Sequence, residues 1–266
     1  MTETLPAPTR PIFPAATVLL VREAPALEVL MVVRHHQIDF ASGALVFPGG
    51  KVAREDEDPA WATAIRAAGG VVVPDLGFRI AAIREAFEES GQLLARSADG
   101  GPCSLEALRQ VRVHRAAIAA ETGSFLEAMS AAGLVPDVGA LQLYAHWITP
   151  EGMPKRFDTL FYLAEAPADQ LASEDGREAV EACWVAPATA LADAVAGRRT
   201  IIFPTRLNLE RLSDASSIAE AKAQTAARAI VPVLPAVVMR GSEPWLTIPA
   251  EAGYRTTEEP LEGNRP

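Results

Sequence analysis

The eight residues Arg84-Glu85-Ala86-Phe87-Glu88-Glu89-Ser90-Gly91 carry the densest concentration of chemistry in this chain. Helix positions i, i+3 and i+4 share a face, so Glu85, Glu88 and Glu89 stand together if this stretch is helical. Three carboxylates that close repel one another unless a cation sits among them. Hard oxygen donors suit Mg²⁺ or Mn²⁺ better than zinc. A solvated, Glu-rich helix face is the plain alternative. Two features weigh against it. Arg84 and Gly91 bracket the acids, and the apolar run Leu45-Val46-Phe47 breaks upstream at Pro48-Gly49-Gly50. Such a break reads as a strand end followed by exposed backbone.

A helix over 79–95 is needed to position the acids, and Ile80, Ile83, Phe87 and Leu94 give it an apolar stripe. Ahead of it, Asp58 and Pro59 supply a capping acid and a proline at the first helical position. They predict a helix over 61–68 that Gly69-Gly70 stops. The apolar runs 16–21 and 29–33 read as a hairpin around 22–26, and 44–47 as a further strand. Residues 104–132 are strongly helical, with a break near Gly123. They are read as a cap able to shape a pocket for a large substrate, or as a cover for one sheet face. Strands are expected at 141–148, 159–164 and 183–185, and helices at 187–196, 205–213 and 218–228. Two late strands are expected at 233–239 and 245–248. Residues 1–11 read as a flexible arm and 254–266 as a disordered tail. Between them, 12–253 form one α+β domain.

These segments resemble the Nudix family. Its box runs glycine, five residues, glutamate, seven residues, then Arg-Glu-apolar-x-Glu-Glu-x-Gly-apolar. Gly50 matches the first glycine, and Arg84, Glu85, Ala86, Glu88, Glu89 and Gly91 match the second half in register. Three features depart. Asp56 stands where the box has glutamate, 27 residues separate Asp56 from Arg84, and Gln92 occupies the last apolar position. The extra residues are read as an insertion at 57–78. A long insertion inside the box is similar to that of the coenzyme A diphosphatases of the Nudix motif 19 type. Further likeness lies in Gly43-Ala44-Leu45-Val46-Phe47-Pro48, Trp147-Ile148-Thr149-Pro150, Arg156-Phe157-Asp158-Thr159, Glu181-Ala182-Cys183-Trp184 and Phe203-Pro204-Thr205.

The resemblance implies a mixed sheet sandwiched between helices, with a helical insertion at 98–135. It implies metal-dependent hydrolysis of the diphosphate bond of a nucleoside diphosphate joined to another moiety. The substrate would be CoA or acyl-CoA, giving 3′,5′-ADP and phosphopantetheine or its acyl form. ADP-ribose, NADH, a nucleotide sugar, or nucleotide sensing without turnover stay open. Divalent ions neutralise the diphosphate and acidify a bound water. Glu85, Glu88 and Glu89, with a backbone carbonyl near Gly50, would hold Mg²⁺ or Mn²⁺. Glycine lets the backbone come close there. Arg84 would pair with a box carboxylate and hold its rotamer. The general base would be a box glutamate such as Glu85 or a later carboxylate, with Glu178 ahead of Glu181. Arg34, Gly49 and Arg156 are candidate substrate contacts, and Arg156 has the alternative of pairing with Asp158. His35-His36 read as surface loop, since no Cys or His spacing supports zinc.

Composition fits a globular enzyme. The 266 residues are 49% hydrophobic and 22% charged, enough to bury a large core. No apolar run approaches the ~18–20 residues that cross a bilayer, so no membrane partner is expected. A net charge of −10 without a basic run argues against nonspecific nucleic-acid binding. It does not argue against a polyphosphate, because bridging divalent ions reverse the local field. Cys103 and Cys183 are expected to be buried, reduced thiols. Met1-Thr2-Glu3-Thr4 lacks a signal-peptide start, and Gly263-Asn264-Arg265-Pro266 is not a peroxisomal address. The expected compartment is therefore the cytoplasm, and the expected partner a small nucleotide substrate. Oligomeric state has no signature in the sequence.

Overall fold

Alternation along the first strand explains the layering. In β1 (Ile12–Glu23), Val18 and Leu20 face one core, Leu19 and Val21 face the other, and all four are buried. A strand buried on both sides needs a cover on both. A computed structural model describes residues 11–34, 43–170, 172 and 179–261.

β1 turns into β2 (Leu27–Arg34), the expected hairpin. β3 (Leu45–Val46) pairs with β2, and β4 (Gly49–Lys51) pairs antiparallel with β1. α1 (Pro59–Ala67) starts where Asp58 Oδ1 accepts the Ala60 N–H at 2.8 Å. α2 (Leu76–Ser90) carries the acids. It was expected to run to residue 95, but Gly91 adopts φ 71° and its N–H bonds back to the Phe87 carbonyl. That left-handed glycine ends the helix, although Leu94 continues its apolar stripe in sequence.

Beyond it comes β5 (Ala95–Ser97). The long helix expected at 104–132 is three short ones: α3 (Leu105–Arg112), α4 (Arg115–Ala119) and α5 (Phe125–Ala131). Ser104 and Ser124 cap the first and last by accepting the Ala107 and Glu127 N–H groups. β6 (Leu134–Pro136) pairs with β5 in a ribbon too short to show a strand period in the sequence.

The main sheet is completed by β7 (Gln142–Ile148), β8 (Arg156–Glu165) and β9 (Ala179–Val185). There follow α6 (Pro187–Val195), α7 (Phe203–Leu212), α8 (Ile218–Ala226) and β10 (Pro232–Val233). The strand order is β10-β7-β8-β1-β2-β3, with β4 added to β1 and β9 to β2. β1–β8 and β7–β10 are parallel pairs and the others antiparallel. Ile80, Ile83 and Phe87 of α2, with Trp61 and Phe125, cover one face. Phe203, Leu207 and Leu212 of α7, with Ala190 and Ala221, cover the other. This is the α+β arrangement expected, a mixed sheet between helices.

A separate antiparallel sheet follows: β11 (Ala236–Arg240), β12 (Glu243–Thr247) and β13 (Glu258–Pro260). It corrects the expectation of disorder for residues 254–261, while 262–266 lie outside the described residues. Tyr254 is buried; its hydroxyl accepts from Trp147 Nε1 at 2.9 Å and donates to Asn208 Oδ1 at 2.7 Å. Backbone pairing with β12 orders the polar residues beyond it. Among the described residues, no helix is long and apolar enough to cross a membrane.

Candidate active site

β4 lays Gly49 and Gly50 against α2. Glu89 Oε2 accepts the Gly49 N–H at 3.0 Å. Gly50 makes the closest approach: a Cβ there would lie 2.4 Å from Glu85 Oε1. Only glycine leaves room for that carboxylate.

Arg84 is the hub. Its Nε and Nη2 donate to the two Asp56 oxygens, each at 2.9 Å. Nη1 donates to Glu85 Oε1 at 2.9 Å and Glu88 Oε1 at 2.8 Å, and Nη2 also to the Lys51 carbonyl at 2.9 Å. All five guanidinium hydrogens are thereby used. Burial works against the charge, but Glu85, Asp56 and Glu88 outweigh it and push the Arg84 pKa upward. Asp56, 1% exposed, also accepts the Ala53 N–H at 2.7 Å. The aspartate at the glutamate position of the box thus anchors both the loop and the arginine. Gln92, the other departure, is buried and donates to the Gln170 carbonyl at 3.2 Å. The Gln170 side chain bonds both backbone groups of Leu93.

The two insertions meet beside this cluster. The Glu55 carboxylate accepts the Phe125 N–H at 3.0 Å and the Ser124 hydroxyl. Trp61 donates to the Glu55 carbonyl at 2.9 Å and packs on Phe125, which packs on Phe87 of α2; the ring centroids are 5.6 and 6.1 Å apart. Arg115 of α4 donates to the Glu88 carbonyl at 2.9 Å. The in-box insertion and the helical insertion therefore pack as one unit on α2.

A cleft of about 1320 Å³ opens there. Arg84, Glu85, Glu88 and Lys51 line one side, and Ile118, Glu121 and Ser124 of the helical insertion help form its wall. Strand alternation on β8 turns Phe157, Thr159 and Phe161 toward the cleft. Trp147–Pro150 and Phe203–Thr205 join them, so most tracts that carry the family likeness converge here.

The expected substrate contacts divide. Gly49 lines the cleft, with its N–H held by Glu89. Arg156 does not line it. It is buried on the other face of β8 and donates Nε to the Thr149 carbonyl at 3.1 Å, closing the 149–156 turn. Asp158 pairs with His146 instead. Glu181 is also away from the cleft wall, held bidentate by Arg199 at 2.9 and 2.6 Å. Those bonds keep its pKa low, which makes it a poor proton acceptor. Glu178, His35 and His36 lie outside the described residues, as does the Arg34 side chain. Cys103 and Cys183 are free thiols, half-buried, and burial pushes both pKa values up. Sequence reasoning missed Lys51, Lys155, Glu55 and the apolar wall that includes Ile201, Val237 and Leu246. Only Lys51 had a signal, its place directly after Gly50.

Hard carboxylate oxygens are what Mg²⁺ and Mn²⁺ prefer. Glu85 and Glu88 converge on one cationic nitrogen, and Gly50 brings backbone against Glu85, so this donor set fits such an ion. The expected three-carboxylate cage is not assembled, however. Among the described residues, no three Asp, Glu, His or Cys side chains are gathered closely enough to hold a metal. Glu89 turns to the Gly49 amide while Glu85 and Glu88 share Arg84.

A family model described as the NUDT19 Nudix domain matches residues 62–212. The acyl-coenzyme A diphosphatase NUDT19 of Gallus gallus is 28% identical, over 90% of this chain and 76% of that protein. The Homo sapiens protein of the same name is 29% identical, over 67% of this chain and 48% of its own length. The chain thus spans about half of the human relative. Among solved structures, a Nudix hydrolase from Alicyclobacillus acidocaldarius superposes with a TM-score of 0.65 at 28% identity, covering 82% of this chain and 97% of that one.

Proposed function

The chain belongs to the NUDT19 Nudix domain family, and from that premise we propose that it hydrolyses the diphosphate bond of CoA or an acyl-CoA. Water adds to one phosphorus and the bridging oxygen leaves, giving 3′,5′-ADP and phosphopantetheine or its acyl form. The observation that carries this is the two-sided cleft. Carboxylates and an arginine that suit diphosphate chemistry face a broad apolar wall that a nucleotide alone does not need.

Glu85 and Glu88, joined by Glu89 and the Gly50 carbonyl, would hold Mg²⁺ or Mn²⁺, which supplies charge neutralisation and a more acidic water. Arg84 is a positioning residue: two of its five hydrogen bonds hold Glu85 and Glu88, and the other three anchor it to Asp56 and the Lys51 carbonyl. Lys51 and Lys155 bring positive charge to the wall for phosphate groups. Glu85 is the candidate proton acceptor that faces the cleft, and Glu178 remains the candidate from the later loop.

The test is product analysis with Mg²⁺ or Mn²⁺ on CoA, acetyl-CoA, ADP-ribose, NADH and a nucleotide sugar. Metal-dependent release of 3′,5′-ADP from the CoA species is expected. Turnover of another substrate alone would keep the diphosphatase and discard CoA. Tight binding without turnover would identify a sensor.

A further inference from the structure

We propose that the apolar side of the cleft is a track for the alkyl chain of a long-chain acyl thioester, and that it leaves the cleft along one face of β11. This rests on the CoA reading above and adds where the acyl group lies and which residues select its length.

Two observations carry it. First, the cleft is larger than the roughly 300–1,000 Å³ of ordinary small-molecule pockets, and its lining includes the apolar Phe161, Phe203, Ile202 and Leu246. Phosphates and sugars find few polar partners there, whereas an alkyl chain gains with each methylene removed from water. Second, the apolar surface does not stop at the cleft. β11 is exposed at all five positions. Side chains two apart on a strand share a face, so Met239 continues the line of Pro235 and Val237. Pro235 and Val237 line the cleft, Val237 is 52% exposed, and Met239, 63% exposed, lies beyond them. Four residue steps at roughly 3.3 Å give a track of about 13 Å. A row of large exposed apolar side chains continuous with a pocket marks a ligand surface more often than chance exposure does. An unbranched chain is the ligand that fits a narrow apolar row joined at one end to a phosphate site.

The experiment compares kcat/KM for CoA and dodecanoyl-CoA in wild type, Val237→Asn and Met239→Gln. It also measures binding of both ligands to wild type in EDTA by calorimetry at several temperatures. Wild type should prefer the acylated substrate. The dodecanoyl-CoA to CoA ratio should fall about tenfold in Val237→Asn and less in Met239→Gln. The heat-capacity change should be more negative for dodecanoyl-CoA, the marker of buried apolar surface. A ratio that stays at the wild-type value in both variants, with equal heat-capacity changes for the two ligands, overturns the track and leaves the CoA diphosphatase standing. If wild type turns over neither CoA species but cleaves ADP-ribose, the underlying reading has failed and the track with it.

Discussion

The two sides of the cleft are held in opposite ways. On the α2 side, one arginine spends every donor on Asp56, Glu85, Glu88 and the Lys51 carbonyl. Each group there has its place set by direction as well as distance, as hydrogen bonds require. On the far side, Phe161, Phe203 and Leu246 meet through dispersion and exclusion of water, which have little directionality. The charged side should therefore lose function from changes of a single atom. The apolar side should respond in proportion to the surface removed.

The largest effect should come from changing only charge. Glu88→Gln keeps the shape and an acceptor for Arg84 but removes a negative oxygen. Turnover should fall roughly 10²–10⁴-fold with the thermal midpoint within a few degrees of wild type. Near-normal turnover would take Glu88 out of the chemistry. Gly50→Ala should come next. Its Cβ would meet the Glu85 carboxylate at 2.4 Å, so Glu85 must swing away from Arg84 or β4 must shift. Activity should drop by at least about tenfold, through kcat more than KM, as expected when transition-state contacts are lost. An unchanged kcat would mean the Glu85 rotamer does not matter. By contrast, Leu246→Ala should lower stability without a comparable loss of kcat on CoA. A collapse of kcat there would erase the distinction between the two sides.

The same contrast explains what the sequence could reveal. The charged side is written in eight consecutive residues, and helix geometry brings Glu85 and Glu88 together, but it does not tell that Glu89 turns to the Gly49 amide. Asp56 is separated by the insertion, yet the box pattern still points to it. The apolar side is drawn from segments near 147, 161, 203, 237 and 246. Val237 or Leu246 in a sequence looks like any core residue, because burial against a ligand and burial against a helix use the same side chains. Gly91 ends the helix in the structure, whereas Leu94 extends the apolar stripe past it in sequence. The tail misled for another reason. Glu258 and Glu259 look solvated until Arg240 and Arg206 are brought opposite them, which only the fold does.

Asp56→Ala tests how much of the charged side is structural. It strips two hydrogen bonds from a guanidinium whose side chain is 10% exposed. Removing one partner of a buried pair costs roughly 3–5 kcal/mol, and Glu85 and Glu88 remain, so the lower end is expected in urea unfolding. A loss below about 1 kcal/mol would mean the remaining acids suffice, and Asp56 is then a loop anchor only.

Arg199→Ala is the matched case at the surface and should have the smallest effect. The Glu181–Arg199 pair is bidentate like Asp56–Arg84, end-on through Nη1 and Nη2 where the other is side-on through Nε and Nη2, but its side chains are 42% and 33% exposed. Solvent screening limits such a pair to under about 1 kcal/mol. Its pH dependence has a definite sign. The Arg199 hydrogen bonds lower the folded pKa of Glu181 below the ordinary 4.5. The unfolded chain then binds the proton more readily, so the pair's contribution is complete above pH 4.5 and fades as pH falls through the folded pKa. The stability difference between wild type and Arg199→Ala should thus be constant from pH 7 to 5.5 and shrink below 4.5. A difference that grows on acidification would mean that Arg199 acts through some other group. A loss as large as that of Asp56→Ala would show that geometry, and not burial, sets the strength of these two pairs.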